Sequence, residues 1–435
     1  MYNDWIELGK KKGLSELEIF AVRNKSLSLT VYQGKLDSHV QSDVEQVTLR
    51  GIYEGKLSVV RFENLSTKHV EHMIERLIDN AKALTVSEPA IIFEGSPSYP
   101  EVKEERFDFG SVPVTTKIEM LKTLEKTILD HPSVTQVQNA TYQEIDTKTT
   151  LINSKGLHLT KQNTYAYAYA IGVFKQDDDI KTAYDVKLVK NFNEFNAKEM
   201  AETTIKQGVA KLGGKSISTK AYPTVFSNEQ FSGILRAFTS IFSGEAAYRN
   251  LTSLKDKVGT KIFGDNITLT DDPINEKSHF KIPFDDEGVA CSRRDVVKNG
   301  VFQGFNHNLK TSSIFKQEPT GNGFNGGISP TNLYLEPTDL AFEDLIKDIE
   351  DGVYITDLVG LHAGVKAISG EFSLQASGQK ITNGKLDHAV KMIIVSGNFF
   401  EMMNHVKGIA NDLKFELSGI GSPSVYIESL MIGGE

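Results

Sequence analysis

The sequence predicts an α+β fold, with a mixed α/β domain at residues 1–215 and a β-rich, barrel-like domain at residues 220–435. Three observations support this prediction. The chain has 435 residues, 39% of them hydrophobic, which suffices for more than one packed core. Strand-like alternation and helical periodicity are mixed in the first half. In the second half, Asn-Gly pairs separate strand-like runs, which indicates hairpins.

The first elements are strands followed by a helix. Residues 16–62 predict successive strands with a turn at Glu54 and Gly55. Residues 67–84 predict a helix, because apolar residues recur at helical spacing: Val70, Met73, Ile74, Leu77, Ile78 and Ala81.

A second helix is predicted at about residues 116–130, where Thr116 and Glu119 have the spacing of a capping box. Residues 134–190 are predicted to be rich in β-strands, because "TYAYAYAIGVF" alternates tyrosines with alanines.

A third helix is predicted to begin at Asn196 and to stop at Gly213 and Gly214. The domain boundary is predicted between Gly213 and Tyr222, before the short strand "AYPTVF".

The segment "SNEQFSGILRAFTSIFSG", residues 227–244, predicts the best-formed helix of the chain. Ser227 and Gln230 have capping-box spacing, and Gly244 is predicted to end the helix. One stripe is apolar: Phe231, Ile234, Leu235, Phe238, Ile241 and Phe242. The helix carries no histidine and no cysteine, so it offers little chemistry of its own.

The rest of the chain is predicted to be mostly β. Hairpins are predicted in "RRDVVKNGVFQGF" and "QKITNGKLDHAVKMIIV". Two short helices are predicted at about residues 339–350 and 398–406, and the glycine-rich "GNGFNGG", residues 321–327, is predicted to be a loop. Paired strands with few helices favour a barrel or a curved sheet.

Composition narrows the class of protein. The net charge of −9 argues against general nucleic-acid binding, although a local basic patch stays open. The single cysteine, Cys291, permits no intrachain disulfide, as in a reducing compartment. The N-terminus lacks the apolar core of a secretory signal, and no apolar run approaches the roughly 20 residues of a membrane span. We therefore expect a soluble, cytoplasmic protein without membrane contact.

No histidine pattern predicts a metal site. His69 and His72 lie three residues apart on one predicted helix, but they flank its apolar stripe and are best interpreted as surface residues. His307, His362 and His388 are far apart in the sequence, and only the fold could bring them together.

No motif predicts a nucleophile or a nucleotide site. Cys291 follows the acidic run Asp285–Glu287, which would raise the pKa of its thiol, so a small buried residue is the favoured interpretation. The acidic groups Asp177–Asp179, Asp271-Asp272 and Asp285–Glu287 are interpreted as solvated turns. The glycine-rich loop lacks the Lys-Ser/Thr ending of a phosphate-binding loop.

Three ordered blocks carry a family resemblance: "FDDEGVACSRRDVVKNGVFQGF", "GEFSLQASGQKITNGKLDHAVKMIIVSGNFFEMM" and "GSPSVYIESLMIGGE". Together they resemble the TldD/PmbA family, also called modulators of DNA gyrase. The resemblance implies that the TldD branch holds zinc through H-E-x-x-x-H and a later cysteine. It implies that the PmbA branch, also called TldE, lacks these ligands and pairs with a TldD subunit.

In this chain the resemblance places the motif on the helix of residues 227–244. Leu235 and Ser240 stand at the two histidine positions, and Arg236 stands at the glutamate position. Neither Leu235 nor Arg236 can bind zinc. The resemblance therefore implies a PmbA/TldE-like subunit with no catalytic residue, no metal and no cofactor of its own, whereas zinc is expected on a TldD-type partner.

The resemblance further implies a heterodimer with a TldD-like subunit, or a homodimer when the chain is alone, acting on unfolded or small peptides. Such peptides would bind in extended form along a sheet edge. The candidate groove residues lie in the glycine-rich loop and in one strand of the C-terminal half: Gly321, Gly323, Gly326, Gly327, Phe372 and Ser373. No direct nucleic-acid contact is expected from the acidic charge.

Two alternatives stay open. The chain could be a self-associating peptide-binding protein without hydrolytic activity. It could also be an independent enzyme that uses Cys291, or His307, His362 and His388, for its chemistry.

Overall fold

The computed structural model describes residues 2–63, 69–85, 88–102 and 106–434. In the N-terminal half its helices and strands are α1 Tyr2–Lys11, β1 Glu16–Tyr32, β2 Lys35–Tyr53, β3 Lys56–Glu63, α2 Val70–Ala83, α3 Val114–Leu129, β4 Val134–Asn153, β5 His158–Gln176, β6 Asp179–Ala183, β7 Lys187–Val189 and α4 Ala197–Ala210. The predicted strand-rich regions are confirmed, and residues 67–68 of the first predicted helix lie outside the described residues.

The N-terminal strands form one antiparallel sheet in the order β3-β2-β1-β4-β5-β6, and β7 pairs with β5. The turn predicted between β2 and β3 is confirmed, because Glu54 and Gly55 have φ angles of +48° and +75°. Two residues of positive φ form the tight turn that suits the twist of a hairpin. β3 thus becomes the last strand on one side of the sheet.

The two faces of this sheet have different neighbours. On one face, side chains such as Ile19 and Leu49 pack against α1 and α2, and Tyr142 and Ala168 pack against α3 and α4. The alternate residues of the same strands, among them Phe20, point to the opposite face, which we call the cavity face. The helices therefore cover only one face, and the C-terminal half contacts the other.

The C-terminal half contains shorter elements. They are β8 Lys220–Phe226, α5 Asn228–Phe238, α6 Gly244–Tyr248, β9 Leu269–Asp271, β10 Arg294–Lys298, β11 Val301–Phe302, α7 Leu309–Phe315, β12 Gly323–Phe324, β13 Gly327–Ile328, β14 Leu333–Leu335, α8 Phe342–Ile346, β15 Asp351–Val359, β16 Glu371–Thr382, β17 Lys385–Asn398, α9 Phe399–Asn404, β18 Val406–Ile409, β19 Lys414–Phe415, β20 Gly421–Ser422 and β21 Val425–Gly433.

A closed barrel organises the C-terminal half. The strands follow the order β17-β16-β15-β8-β21-β18, and an additional pairing of β17 with β21 closes five of them into a ring. A second sheet has the order β11-β10-β9-β14-β20-β19. The large apolar core around these sheets includes Phe231, Phe238 and Phe399. The α+β fold with a β-rich, barrel-like C-terminal half is confirmed, and its exact division at residues 215 and 220 stays a prediction.

Two glycine assignments were wrong. Gly244 does not end the central helix: α5 ends at Phe238, a 3₁₀ turn follows, and Gly244 begins α6 after its cap, Ser243. The stretch "GNGFNGG" is not an open loop. It folds into the small β12–β13 hairpin, because Asn325 and Gly326 adopt positive φ angles of +52° and +75°.

Helix capping was predicted with mixed success. Asn196 caps α4 by accepting a hydrogen bond from the Glu199 amide, as predicted, and Ser227 caps α5 in the same way. The helix predicted at residues 116–130 begins earlier, at Val114 after Pro113, so Thr116 lies inside the first turn and caps nothing. The short helix α7 was missed, because its seven residues carry too weak a periodicity.

Candidate functional site

The residues at the positions of the family zinc motif do not form a metal site. Leu235 is 2% exposed and lies in the C-terminal core, whereas Arg236 and Ser240 are exposed. Within the described part of the chain, no three His, Cys, Asp or Glu side chains are grouped so that they could hold a metal ion. The residues present at this helix therefore do not fit zinc.

The three C-terminal histidines belong to separate surroundings. His307 is buried, its Nδ1 lies 3.1 Å from Thr311 Oγ1, and burial lowers its pKa to about 4. His388 lies 3.1 Å from Asp387 Oδ2 on β17, and His362 is exposed. The structure does not bring them together as a metal site among the described residues.

Cys291 is a structural residue. Its thiol is 1% exposed and donates a hydrogen bond to the carbonyl oxygen of Gly321 at 3.0 Å. Burial raises the pKa of the thiol well above its ordinary value, and Asp285 raises it further. A protonated, inaccessible thiol is a poor nucleophile, so the geometry supports the structural interpretation.

The acidic run Asp285–Glu287 is not a solvated turn, and this prediction was wrong. Asp285 is 0% exposed and accepts hydrogen bonds from the amides of Glu287, Val289 and Gly323 at 2.8–2.9 Å. Asp286 accepts a hydrogen bond from the Asn325 amide at 2.9 Å. The run therefore fixes the β12–β13 hairpin through its backbone amides.

Asp271 contradicts the same prediction. It is 2% exposed, and its carboxylate accepts hydrogen bonds from the Asn322 side chain and from the amides of Thr331 and Asn332. In the remaining acidic group, Asp177–Asp179, the residues Asp177 and Asp178 form an exposed turn. Adjacent acids in a sequence predict exposure to solvent, but backbone amides can satisfy a buried carboxylate equally well.

A buried charge network joins the cavity face to the acidic run. Arg50 on β2 donates a hydrogen bond to Glu18 on β1 at 2.9 Å, and its other terminal nitrogen lies 3.6 Å from Glu287. Glu18 is 0% exposed, and Glu287 also accepts the Leu309 amide at 2.7 Å. Two carboxylates therefore share one guanidinium at the contact between the two halves.

Carboxylates in and beside this network have raised pKa values. Burial raises the pKa of Glu18 to about 7, and Arg50 only partly offsets this. Burial likewise raises the pKa of Asp285 to about 7, with a smaller contribution from Glu287. Removing carboxylates from water disfavours their charged form, so these groups bind protons near neutral pH.

We expect Glu18 to make the protein less stable as pH rises. Because its native pKa of about 7 exceeds its ordinary value of 4.5, its contribution is complete below pH 4.5 and is lost as pH rises through 7. This pKa difference corresponds to about 3 kcal/mol of unfolding free energy. Urea unfolding at pH 5 and pH 8 measures the loss, and Glu18→Gln should reduce it. An equal loss in the variant would contradict the assignment to Glu18.

A large cavity lies between the cavity face and the C-terminal half. It measures about 980 Å³, a size typical of ligand sites, and we call it the sheet-face cavity. Its floor is formed by β1, β2 and β3, and its walls come from the acidic run, the start of α7 and the β12–β13 hairpin. The residues that define it include Phe20, Val22, Val44, Gln46, Thr48, Arg50, Leu57, Val59, Arg61, Glu63, Leu84, Asp286, Glu287, Lys310, Asn325 and Gly326.

The predicted groove residues divide between this cavity and other places. Gly326 lines the sheet-face cavity, and Gly323 and Gly327 belong to the same hairpin. Gly321, with φ +73°, packs so closely that an added Cβ would lie 2.6 Å from the Ala290 carbonyl oxygen. Their role in peptide binding stays a prediction.

Phe372 and Ser373 lie elsewhere, on β16 of the barrel. Phe372 is 4% exposed in the core, and Ser373 is exposed opposite Ser396 on β17. Neither residue lines the sheet-face cavity, so the structure does not bring these two candidates together with the hairpin glycines.

Sequence reasoning missed the buried Glu18–Arg50 pair beside the sheet-face cavity. Glu18 stands between Leu17 and Ile19 in an apolar strand, and a charge at such a position was the available signal. A charged residue is almost never fully buried unless it is paired. Its partner Arg50 is 32 residues away in the sequence, and only the β1–β2 pairing joins them.

The fold and the site define an α+β protein in which a helix-backed sheet contacts a β-barrel half across a polar cavity. Three profiles of one family match this chain: PmbA/TldA metallopeptidase domain 1 at residues 17–81, the central domain at residues 107–212 and the C-terminal domain at residues 219–434. The chain belongs to the PmbA/TldD family, whose members include metalloproteases.

Individual relatives agree with this assignment. A Thermotoga maritima crystal structure, described as a candidate modulator of a DNA gyrase, is 30% identical, has a TM-score of 0.92 and covers 99% of both chains. TldE from Thermococcus kodakarensis shares the fold at 22% identity, with a TM-score of 0.89 and 100% of both chains covered. A metalloprotease PmbA homolog from Buchnera aphidicola is 25% identical over 86% of this chain and 83% of its own length.

Among the residues that the structure describes, no helix is both long enough and apolar enough to cross a bilayer.

Proposed function

We propose that this chain is a PmbA/TldE-like, non-catalytic subunit of a heterodimeric zinc metallopeptidase that acts on unfolded or small peptides in the cytoplasm. One observation carries the proposal. The family motif position on α5 is occupied by a buried leucine, Leu235, with exposed Arg236 and Ser240 at the other two motif positions.

The chemistry of these side chains supports a non-catalytic role. A catalytic zinc site needs about three protein ligands and an open position for water. The leucine has no donor atom, and a guanidinium is always protonated and repels a cation. Zinc and the cleavage step are therefore assigned to a TldD-type partner, and no step of hydrolysis is assigned to this chain.

The sheet-face cavity supports a contribution to peptide binding. Its floor combines aromatic and aliphatic side chains with charged, amide and hydroxyl side chains, which suits a peptide segment better than a purely apolar ligand. Its lining is mixed in sign, with Arg61 and Lys310 beside Glu63 and Glu88, and the whole chain has a net charge of −9. This balance supports peptides, and not nucleic acid, as the ligand class.

Metal analysis and co-expression test the proposal. We expect the purified chain alone to contain less than stoichiometric zinc and to cleave no unfolded peptide, because α5 supplies no ligands. Co-expression with a TldD-type subunit should give a copurifying pair with peptidase activity that a chelator abolishes.

The two measurements test different parts of the proposal. One tightly bound zinc per isolated chain would overturn the non-catalytic assignment. A copurifying pair that stays inert toward unfolded peptides would overturn the subunit assignment. Self-association together with peptide binding, but without any activity, would favour the self-associating binding protein.

A further inference from the structure

The last strand of the N-terminal sheet has an open edge. Within the described residues, β3 forms backbone hydrogen bonds only with β2. The two-residue turn makes Tyr53 and Lys56 the first hydrogen-bonded pair of this hairpin. Because such pairs alternate along an antiparallel ladder, the amide and carbonyl groups of Leu57, Val59 and Arg61 point away from β2.

The side chains of the same residues line the sheet-face cavity. Leu57, Val59, Arg61 and Glu63 follow one another on the cavity face at alternate positions of β3. Val59 remains 45% exposed although it is aliphatic. Free backbone groups and cavity-facing side chains therefore belong to one row of residues, which we call the β3 row.

Arg61 differs from the arginines on the neighbouring strands. Arg23 forms paired hydrogen bonds with Asp43, and Arg50 holds Glu18. No ion pair or hydrogen bond of the Arg61 side chain occurs among the residues that the structure describes. The cavity is also lined by Arg50, Lys56 and Lys310. Of these, Lys310 forms an ion pair with Glu88 at 2.9 Å.

We propose that the β3 row binds an extended peptide as an added antiparallel strand, with an acidic residue opposite Arg61 and aliphatic residues opposite Val59 and Leu57. The inference rests on the proposed function as a peptide-binding subunit. The inference adds to that function a binding site on β3, a register for the bound peptide and a preference for certain peptide sequences. A basic peptide residue is preferred opposite Glu63.

The physical basis is the pairing of side chains across adjacent strands. Residues directly opposite each other in an antiparallel pair lie about 4.5–5.5 Å apart, so opposite charges attract and like charges repel. The unpaired backbone groups of an edge strand provide hydrogen bonds to any extended chain. The charges of Arg61 and Glu63 then decide which chains fit, and aliphatic residues cover Val59.

Charge exchange provides the test. The probe is a fluorescent peptide, Lys-Thr-Glu-Thr-Val-Thr-Leu-Thr, compared with the same peptide carrying Lys in place of Glu. Fluorescence anisotropy with the purified full chain should show about tenfold tighter binding of the Glu peptide. The variant Arg61→Glu should reverse this preference, and its circular dichroism should match that of the natural chain.

Arg76→Glu is the matched control. Arg76 is also an exposed arginine, but it lies on α2, which packs against the other face of the sheet. We expect this variant to keep the preference for the Glu peptide. A version of the Glu peptide with N-methylated alternate amides should bind at least about tenfold more weakly, because it cannot form the added ladder.

Three results would overturn the inference: no binding of either peptide, equal binding of both, or an unchanged preference in Arg61→Glu. Each leaves the proposed function intact if the co-expressed pair still cleaves peptides. Conversely, a reversed preference in Arg61→Glu would establish the β3 site even if the co-expressed pair is inert. The two proposals therefore fail separately.

Discussion

Replacement of Arg50 by methionine is expected to lower the unfolding free energy by about 3–5 kcal/mol at pH 8, because it leaves two buried carboxylates without their cation. Glu18 is 0% exposed and Glu287 is 13% exposed, so water can replace the lost guanidinium only in part. Denaturant unfolding monitored by circular dichroism measures the change.

Protonation should reduce this loss. At pH 5 the loss in Arg50→Met should be smaller, since Glu18 already has a pKa of about 7 and becomes neutral. Glu18→Gln combined with Arg50→Met should recover part of the stability at pH 8, because a neutral amide replaces the unpaired carboxylate.

Arg23→Met is the control for loss of an arginine–carboxylate pair on the same sheet. Arg23 and Asp43 form two hydrogen bonds of 2.8 Å, but both side chains are about half exposed. Surface pairs contribute little because water and salt screen them. If Arg50→Met were no more destabilising than Arg23→Met, the buried network would not stabilise the contact between the two halves.

Local patterns in the sequence predicted the regular elements well. Alternation predicted the long strands, and Asn299-Gly300 and Asn383-Gly384 mark hairpin turns in the structure, all with positive φ. These features depend on neighbouring residues only, so a single sequence contains them. The capping side chain of Asn196 was predictable for the same reason.

The cavity could not be predicted in this way, because it depends on long-range contacts. Arg50 meets Glu287 only when the sheet packs against the C-terminal half. The acidic run was assigned to solvent because nothing in the sequence shows that the amide of Gly323 lies 2.8 Å from Asp285. Of the glycine candidates, Gly326 does line the cavity.

The most informative feature of the sequence was that the motif positions on the central helix carry no metal ligands. The structure adds a reason why substitutions at these positions would not easily create a metal site. Leu235 is part of the core that α5 forms with the barrel half, whereas Ser240 is exposed beyond the end of that helix. The two histidine positions of the motif therefore point to different environments in this chain.

Rebuilding the motif with Leu235→His, Arg236→Glu and Ser240→His together is expected to yield neither stoichiometric zinc nor peptidase activity. The imidazole at position 235 would replace a 2% exposed leucine and bury an unpaired polar group, at a cost of about 3 kcal/mol in unfolding free energy. The third ligand that the resemblance implies, a later cysteine, is also missing, because Cys291 is the single cysteine of the chain.

The double variant Arg236→Glu with Ser240→His separates stability from metal binding. Both residues are exposed, so this variant should unfold at nearly the same denaturant concentration as the natural chain. Elemental analysis and denaturant unfolding of the double and triple variants measure both effects. A triple variant with one zinc per chain and unchanged stability would show that only three side chains separate this chain from a zinc site. Loss of stability in the triple variant alone would show instead that the core has adapted to leucine at position 235.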